Sequence, residues 1–230
     1  MAPVKICGST NPVTLVKICG LTNPEDAQAA MELGADLLGF VNADNSPRYL
    51  TPDEISRIIS EVQPIVPTVM VTHSQDTSEI LNSFDAARAD ILQLHAPLLL
   101  REYSELKERV STIIANVSIE AGLKSPTEEL KRRVAKVSKT VDYILLDTKV
   151  GKEIGGTGVP YDWSVAAELK AFSKKPVIIA GGLNPSNVAL AVKQVKPFAV
   201  DVSSGVESEV GLKDRTKLEA FIKRAKLALL

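Results

Sequence analysis

The amino-acid sequence predicts a single (β/α)8 TIM barrel, an α/β fold in which eight parallel strands alternate with helices. Short β-branched apolar runs alternate eight times with longer segments whose apolar residues have helical spacing. The runs are apolar almost throughout, as in parallel strands that helices cover. Eight such units occupy nearly the whole chain, which favours a closed barrel.

An open flavodoxin-like or Rossmann sheet is the alternative architecture for this alternation. However, no GxGxxG motif follows the first apolar run, and no acidic residue is placed to bind a ribose. We therefore predict the barrel, with strands at residues 15–19, 36–41, 68–72, 90–95, 111–117, 142–147, 176–181 and 198–203.

Four of the intervening segments carry helix-start chemistry. In each, an Asn, Ser or Thr comes directly before a proline. Such side chains cap the free N–H groups of a first turn, and proline fits the first helical position. We therefore predict N-caps at Asn23, Thr51, Ser125 and Asn184.

The composition excludes several classes of partner. The 230 residues are 45% hydrophobic and 24% charged, with a net charge of −1. Acidic and basic residues are interspersed, so we expect no binding to nucleic acid or to a membrane surface. No apolar run approaches the ~18 residues that a spanning helix needs. We expect a cytoplasmic location.

Both cysteines lie in a repeated nonamer. VKICGSTNP at residues 4–12 returns twelve residues later as VKICGLTNP at residues 16–24. Two cysteines are too few for a disulfide framework, and with His73 and His95 they make a poor zinc set, so we expect no metal.

Only the second copy of the nonamer continues into a capped amphipathic helix. Cys19, rather than Cys7, is therefore the predicted working thiol. We interpret residues 1–14 as an extension or a duplicated first strand, and residues 15–230 as the barrel. The first copy could still compete for the first-strand position, since identical residues fit the same neighbours.

The active site of a barrel lies at the carboxyl ends of its strands. Glycine-rich loops follow the seventh and eighth predicted strands, where barrels bind phosphate through backbone N–H groups. The alternative is that these glycines only end strands. Two such loops in consecutive positions favour a phosphate site. The candidates, including one glycine after the sixth strand, are Gly156, Gly181, Gly182, Asn184, Ser203, Ser204 and Gly205.

Several motifs together resemble the phosphoribosylanthranilate isomerase family, from about Leu15 to the end of the chain, with features of its archaeal branch. They are VKICGLTNPEDA, GADLLGFV, SPRYL, ILQLH, YILLDT, GGTGVPYDW, IIAGGLNPSNV and FAVDVSSGVE with GLKD. The resemblance implies a cofactor-free barrel isomerase of tryptophan biosynthesis. Its reaction is the Amadori rearrangement of N-(5-phosphoribosyl)anthranilate to the aminoketose.

The resemblance also implies roles for individual residues. Asp147 is the expected general acid, Cys19 the general base, and Arg48 the partner of the anthranilate carboxylate. We place His95, which ends the fourth predicted strand, only at the periphery of the site, because the residues that follow it depart from the family. From the residues alone, Cys19 could equally be a buried structural thiol and Asp147 a loop cap. The alternative for Arg48 is a solvated surface residue next to a proline. Ala96 and Ala115 depart from the family, which often has a glycine and a lysine in these places.

Two other functions are compatible with the same barrel. One is a different phosphosugar enzyme, such as a lyase or an indole-glycerol-phosphate-type synthase, although the latter would be expected to carry catalytic lysines at strand ends. The other is a non-catalytic binder of phosphate ligands or a barrel that has lost its activity, as the departures at Ala96 and Ala115 would allow. In every case the expected partner is a small phosphosugar, and the expected assembly is a monomer or a homodimer.

Overall fold

The predicted barrel is confirmed. The computed structural model describes residues 13–150, 153–154 and 162–230. Its parallel strands are hydrogen-bonded in the order β5-β4-β3-β2-β1-β8-β7-β6, and pairing of β5 with β6 closes the ring. The strands are β1 Leu15–Ile18, β2 Leu37–Asn42, β3 Thr68–Thr72, β4 Ile91–Leu94, β5 Ile113–Glu120, β6 Tyr143–Val150, β7 Val177–Ile179 and β8 Ala199–Val202.

Helices connect the strands and pack around the outside of the ring. One hydrophobic cluster joins outward-facing strand residues to the buried faces of the helices. No helix of the described residues is both long and apolar enough to cross a membrane. The helices are α1 Pro24–Glu32, α2 Pro52–Val62, α3 Thr77–Ala87, α4 Leu100–Lys107, α5 Glu128–Val137, α6 Trp163–Lys170, α7 Val188–Val195 and α8 Arg215–Leu227.

The two-residue period of a strand divides its side chains between the outer layer and the barrel interior. In β1, Val16 and Ile18 join the outer cluster, whereas Leu15 and Cys19 belong to the inner one. Lys17 lies between them in the same inward series and is 0% exposed. The first strand therefore directs a lysine and, just beyond its end, a thiol towards the barrel axis.

Two of the predicted helix starts are confirmed and two are wrong. Asn23 caps α1, and Thr51 forms a capping box at the start of α2. Helix α5 begins later than predicted because Thr127 makes the cap, its hydroxyl accepting from the Leu130 N–H at 3.2 Å. Helix α7 also begins later, after Asn187, whose side chain accepts from the Asn184 N–H. Pro185 therefore lies in a turn.

A short hairpin follows β8 and was not predicted. A 3₁₀ turn at Ser204–Val206 leads into a strand at Glu207–Glu209, which pairs antiparallel with Leu212–Lys213. The hairpin returns the chain to the mouth of the barrel, where Glu207 and Lys213 are buried. A second short pairing joins the end of β6 to Glu153–Ile154.

Candidate active site

A cavity of about 550 Å³ opens at the carboxyl ends of the strands, where the site was expected. Among the predicted site residues, those that line it are Cys19, Arg48, His95, Asp147, Gly181, Gly182, Ser203, Ser204 and Gly205. The side chain of Asn184 is used locally, accepting from the N–H and hydroxyl of Ser186. Gly156 and Cys7 lie outside the described residues.

The structure gives a reason why the second copy of the repeat occupies the first strand. The N–H of Leu15 donates to the Phe198 carbonyl at 3.1 Å, whereas the matching residue of the first copy, Pro3, has no N–H. Leu21 is 0% exposed, and its counterpart is Ser9. Full burial of a leucine contributes about 1.5–3 kcal/mol. Both differences favour Cys19 in the site.

Cys19 sits just past the end of β1 and is buried. Its N–H donates to the Val202 carbonyl at 2.8 Å, which fixes it against β8. Gly39 on β2 provides the space for the sulfur, because a Cβ there would lie 3.0 Å from Cys19 Sγ and 3.1 Å from Lys17 Cε. The thiol and the end of the lysine thus share one slot.

Lys17 forms an ion pair with Asp201 on the neighbouring strand β8. Its Nζ lies 3.1 Å from both carboxylate oxygens. Burial lowers the pKa of Lys17, but Asp201 and the Cys19 sulfur outweigh burial and raise it overall. Burial raises the pKa of the Cys19 thiol, and the Lys17 ammonium opposes that shift without cancelling it. In the ligand-free site, the thiol form of Cys19 is therefore favoured at neutral pH.

Asp147 lies on β6 with its carboxyl group buried in the cavity wall. Burial, followed by the nearby Asp201 charge, raises the pKa of Asp147 to about 7. The N–H of Thr148 donates to Asp147 Oδ1 at 2.7 Å. Near neutral pH, the Asp147 carboxyl group can therefore carry a proton.

His95 lies closer to the acid than its expected peripheral position. Its Nε2 is 3.7 Å from Asp147 Oδ2, and its ring stacks on that of His73 with 4.7 Å between centroids.

On β5, Ala115 packs outward, whereas Asn116 is buried and its Nδ2 donates to the His95 carbonyl at 3.2 Å. Position 116, rather than 115, thus contributes the polar group on this side.

Arg48 is held by a carboxylate that the sequence interpretation did not include. Its Nε donates to Glu207 Oε1 at 2.7 Å and its Nη2 to Oε2 at 2.6 Å. Lys213 Nζ lies 2.8 Å from the same Oε1. Burial raises the pKa of Glu207, but its two cationic partners outweigh burial and lower it overall. Arg48 also lines the cavity.

The two glycine-rich loops adjoin one another. Gly181 and Gly182 have φ values of +86° and +64°, which favour glycine. A Cβ on Gly205 would overlap the Leu183 carbonyl oxygen, so the loops after β7 and β8 are in contact. Within the described residues, no protein acceptor takes the backbone N–H of Gly182 or Gly205. These donors can serve an anion.

Four charged residues of the site were absent from the predicted set: Lys17, Asp201, Glu207 and Lys213. Lys17 and Asp201 could have been found, because each is a charged residue inside an apolar strand, two residues before a predicted site residue, which indicates a buried charge on the same face. Glu207 and Lys213 depend on a hairpin that the sequence pattern does not reveal. Among the described residues, no group of three or more His, Cys, Asp or Glu side chains is arranged to hold a metal.

Comparisons with known proteins give a consistent result. The family model for N-(5'phosphoribosyl)anthranilate (PRA) isomerase matches residues 16–224. The N-(5'-phosphoribosyl)anthranilate isomerase of Geobacter sulfurreducens is 41% identical over 98% of this chain and 99% of its own length.

Two solved structures extend the match to the fold. Monomers generated from the dimeric phosphoribosylanthranilate isomerase of Thermotoga maritima superpose with a TM-score of 0.80 at 35% identity, over 93% of this chain and 98% of theirs. A phosphoribosylanthranilate isomerase in complex with reduced 1-(o-carboxyphenylamino)-1-deoxyribulose 5-phosphate gives a TM-score of 0.79 at 35% identity, with the same coverage.

Proposed function

The chain belongs to the N-(5'-phosphoribosyl)anthranilate isomerase family, and we propose that Asp147 and Cys19 are the acid and the base of its reaction. The enzyme catalyses the Amadori rearrangement of N-(5'-phosphoribosyl)anthranilate in tryptophan biosynthesis. Family membership selects this isomerisation over the lyase or synthase and over the non-catalytic binder. One observation carries the residue assignment: both groups line a single cavity, from β6 and from the end of β1.

The rearrangement changes no net oxidation state, so proton transfers suffice. In the proposed mechanism, protonated Asp147 gives its proton to the ribose ring oxygen. The bond from C1′ to that oxygen breaks, and the nitrogen lone pair forms an iminium. The thiolate of Cys19 then removes the proton from C2′, and the resulting enolamine tautomerises to the aminoketose. Return of a proton from Cys19 to Asp147 completes the cycle.

The electrostatics of the site support this division of roles. The raised pKa of Asp147, about 7, allows a carboxyl group to act as an acid near neutral pH. The positive charge of Lys17, next to the sulfur of Cys19, lowers the pKa of the thiol against the effect of burial. The positive iminium that forms on ring opening adds to this charge and favours the thiolate when the base is needed. The working state holds one proton between the two groups.

Arg48 is the proposed partner of the anthranilate carboxylate. The guanidinium has five N–H donors, and Glu207 takes one from Nε and one from Nη2. The outer edge, made of Nη1 and the second Nη2 hydrogen, can still bind a carboxylate in a bidentate manner. Arg48 lines the same cavity as Cys19 and Asp147.

The proposed phosphate site is the junction of the loops at Gly181–Gly182 and Ser203–Gly205. The contact between the loops supports it, as do the Gly182 and Gly205 N–H groups, which no acceptor among the described residues takes. Asn184 shapes the first loop through its bonds to Ser186. The role assigned to Gly156 stays a prediction. A phosphate at this junction and a carboxylate at Arg48 would place the two anionic ends of the substrate at separate points of one cavity.

We further propose that the enzyme works in the cytoplasm, as a monomer or a homodimer. A reducing compartment suits a reaction that requires a free thiol. Light scattering during gel filtration gives the assembly directly. The function itself is tested by incubating the protein with freshly prepared phosphoribosylanthranilate and following the loss of its fluorescence. Absence of turnover in folded protein would overturn the proposal.

A further inference from the structure

The buried ion cluster of Arg48, Glu207 and Lys213 joins the two proposed anion sites. The side chains of these residues are 10%, 5% and 0% exposed. They carry one negative and two positive charges. Because Glu207 takes the Nε side of the guanidinium, it fixes the plane in which the outer edge of Arg48 meets the cavity.

The same cluster is tied to the loop after β8. Lys213 Nζ, which lies 2.8 Å from Glu207, also donates to the Ser203 carbonyl at 3.3 Å. Glu207 directly follows the 3₁₀ turn at Ser204–Val206. The loop proposed to bind phosphate and the carboxylate that orients Arg48 are therefore parts of one short segment.

Gly20 lies between the side chains of the two proposed anion sites. A Cβ there would collide with Arg48 Cδ and would lie 2.6 Å from Ser203 Oγ. The aliphatic part of Arg48 and the Ser203 hydroxyl are thus both neighbours of Gly20, whose φ is +67°.

Among the described residues, three further side-chain bonds attach the hairpin that carries Glu207. Its strands contain three and two residues, and Val210 and Leu212 at its tip are exposed. The Thr22 hydroxyl donates to the Gly211 carbonyl at 2.6 Å, and Lys217 Nζ to the Glu207 carbonyl at the same distance. The Lys213 N–H donates to Asp26 Oδ2 at 2.8 Å. A ligand that orders this segment at one end reduces the conformational entropy lost on binding at the other.

We propose that Glu207 is a positioning residue which, with Lys213, couples the two anion sites, so that phosphate at Ser203–Gly205 strengthens carboxylate binding at Arg48. This inference rests on the proposed roles of Arg48 and of the loop. Two anions in one cavity repel each other, so unlinked sites would bind them independently or with negative coupling. Positive coupling therefore distinguishes linked sites from independent ones. By linkage, the carboxylate must strengthen phosphate binding by the same factor.

The test uses two fragments of the substrate as probes, anthranilate and inorganic phosphate. Calorimetry measures the affinity of the full-length protein for each probe alone and in the presence of the other, at constant ionic strength. We expect phosphate to tighten anthranilate binding by at least about fivefold, within the usual range of coupling between sites. In Glu207→Gln and Lys213→Met, verified as folded by circular dichroism, this factor should fall to within about twofold of unity.

Lys213→Met separates coupling from orientation, because it keeps the Glu207–Arg48 pair and removes the link to Ser203. Glu209→Gln is the matched control, since Glu209 is exposed on the same hairpin strand and should keep the full factor. Equal anthranilate affinities with and without phosphate would overturn the coupling while leaving the isomerase activity untouched. Failure of either probe to bind would overturn it too, and turnover of the full substrate separately reports on the proposed function.

Discussion

Lys17 and Asp201 form a buried ion pair one side-chain level below Cys19, with Nζ 3.1 Å from both carboxylate oxygens. The pair acts on both groups of the proposed mechanism. The ammonium lowers the pKa of Cys19 against the effect of burial, and the carboxylate raises that of Asp147. One ion pair therefore influences the pKa values of both the proposed acid and the proposed base.

Asp201→Asn should shift the acidic limb of the kcat/KM profile to lower pH. In the proposed mechanism, the active state holds one proton between Asp147 and Cys19, so activity should fall below the pKa of Asp147, about 7, where both groups are protonated. Removing the negative charge of Asp201 lowers that pKa, and the limb follows. Glu209→Gln, on the exposed hairpin, is the control. A limb unchanged in Asp201→Asn would dismiss this electrostatic role.

Gly181→Ala should reduce kcat by at least about tenfold in a folded protein, because misplaced catalytic groups lose rate steeply. A Cβ at Gly181 would lie 2.7 Å from the Thr148 nitrogen and 2.9 Å from Asp147 Oδ1, displacing the acid. Gly122→Ala is the matched control, since Gly122 has nearly the same φ, +85°, and no atom within 4 Å of the added carbon. Equal turnover of the two variants would contradict this placement of Asp147.

Arg48→Ala should act mainly on KM. A hydrogen bond to a charged group contributes about 1.5–3 kcal/mol, so KM should rise roughly ten- to hundredfold, with a smaller change in kcat. Steady-state kinetics with phosphoribosylanthranilate measure both constants. Arg57→Ala, at an exposed arginine of α2, should leave KM unchanged. A KM within twofold of the parent in Arg48→Ala would exclude the carboxylate contact.

Gly182→Val should abolish binding of inorganic phosphate. The bulky side chain would block the approach of an anion to the backbone, and a φ of +64° is strained for valine. Gly122→Val carries comparable strain away from the site and should bind normally. Ser204→Ala should cost little, because the donors are backbone N–H groups. Calorimetry measures phosphate binding by each folded variant. Normal binding by Gly182→Val would contradict the proposed phosphate site at this junction.

The sequence was most informative where one strand or one motif sufficed. The β3 range 68–72 was predicted to the residue, and the ends of the apolar runs located Cys19 and Asp147 in the cavity wall. Periodicity reports which residues are buried together, and the barrel topology then locates the site.

The rest depends on contacts between residues distant in sequence. Glu207 binds Arg48 across 159 positions, and Lys17 binds Asp201 across 184. Neither pair has a local pattern, since each is formed by closure of the ring or by a hairpin. Helix starts at Ser125 and Asn184 failed for a different reason: a second cap residue, Thr127 or Asn187, lies three or fewer positions further on and competes with the first.

The central claim is that Cys19, and not its duplicate Cys7, is the base that works with Asp147. The most direct test is the turnover of phosphoribosylanthranilate, followed by its fluorescence, in Cys19→Ala and Cys7→Ala side by side. We predict that Cys19→Ala loses at least about a hundredfold in kcat, the scale of general base catalysis, while Cys7→Ala stays within twofold of the parent. Equal losses in the two variants, or normal turnover by Cys19→Ala, would contradict the account.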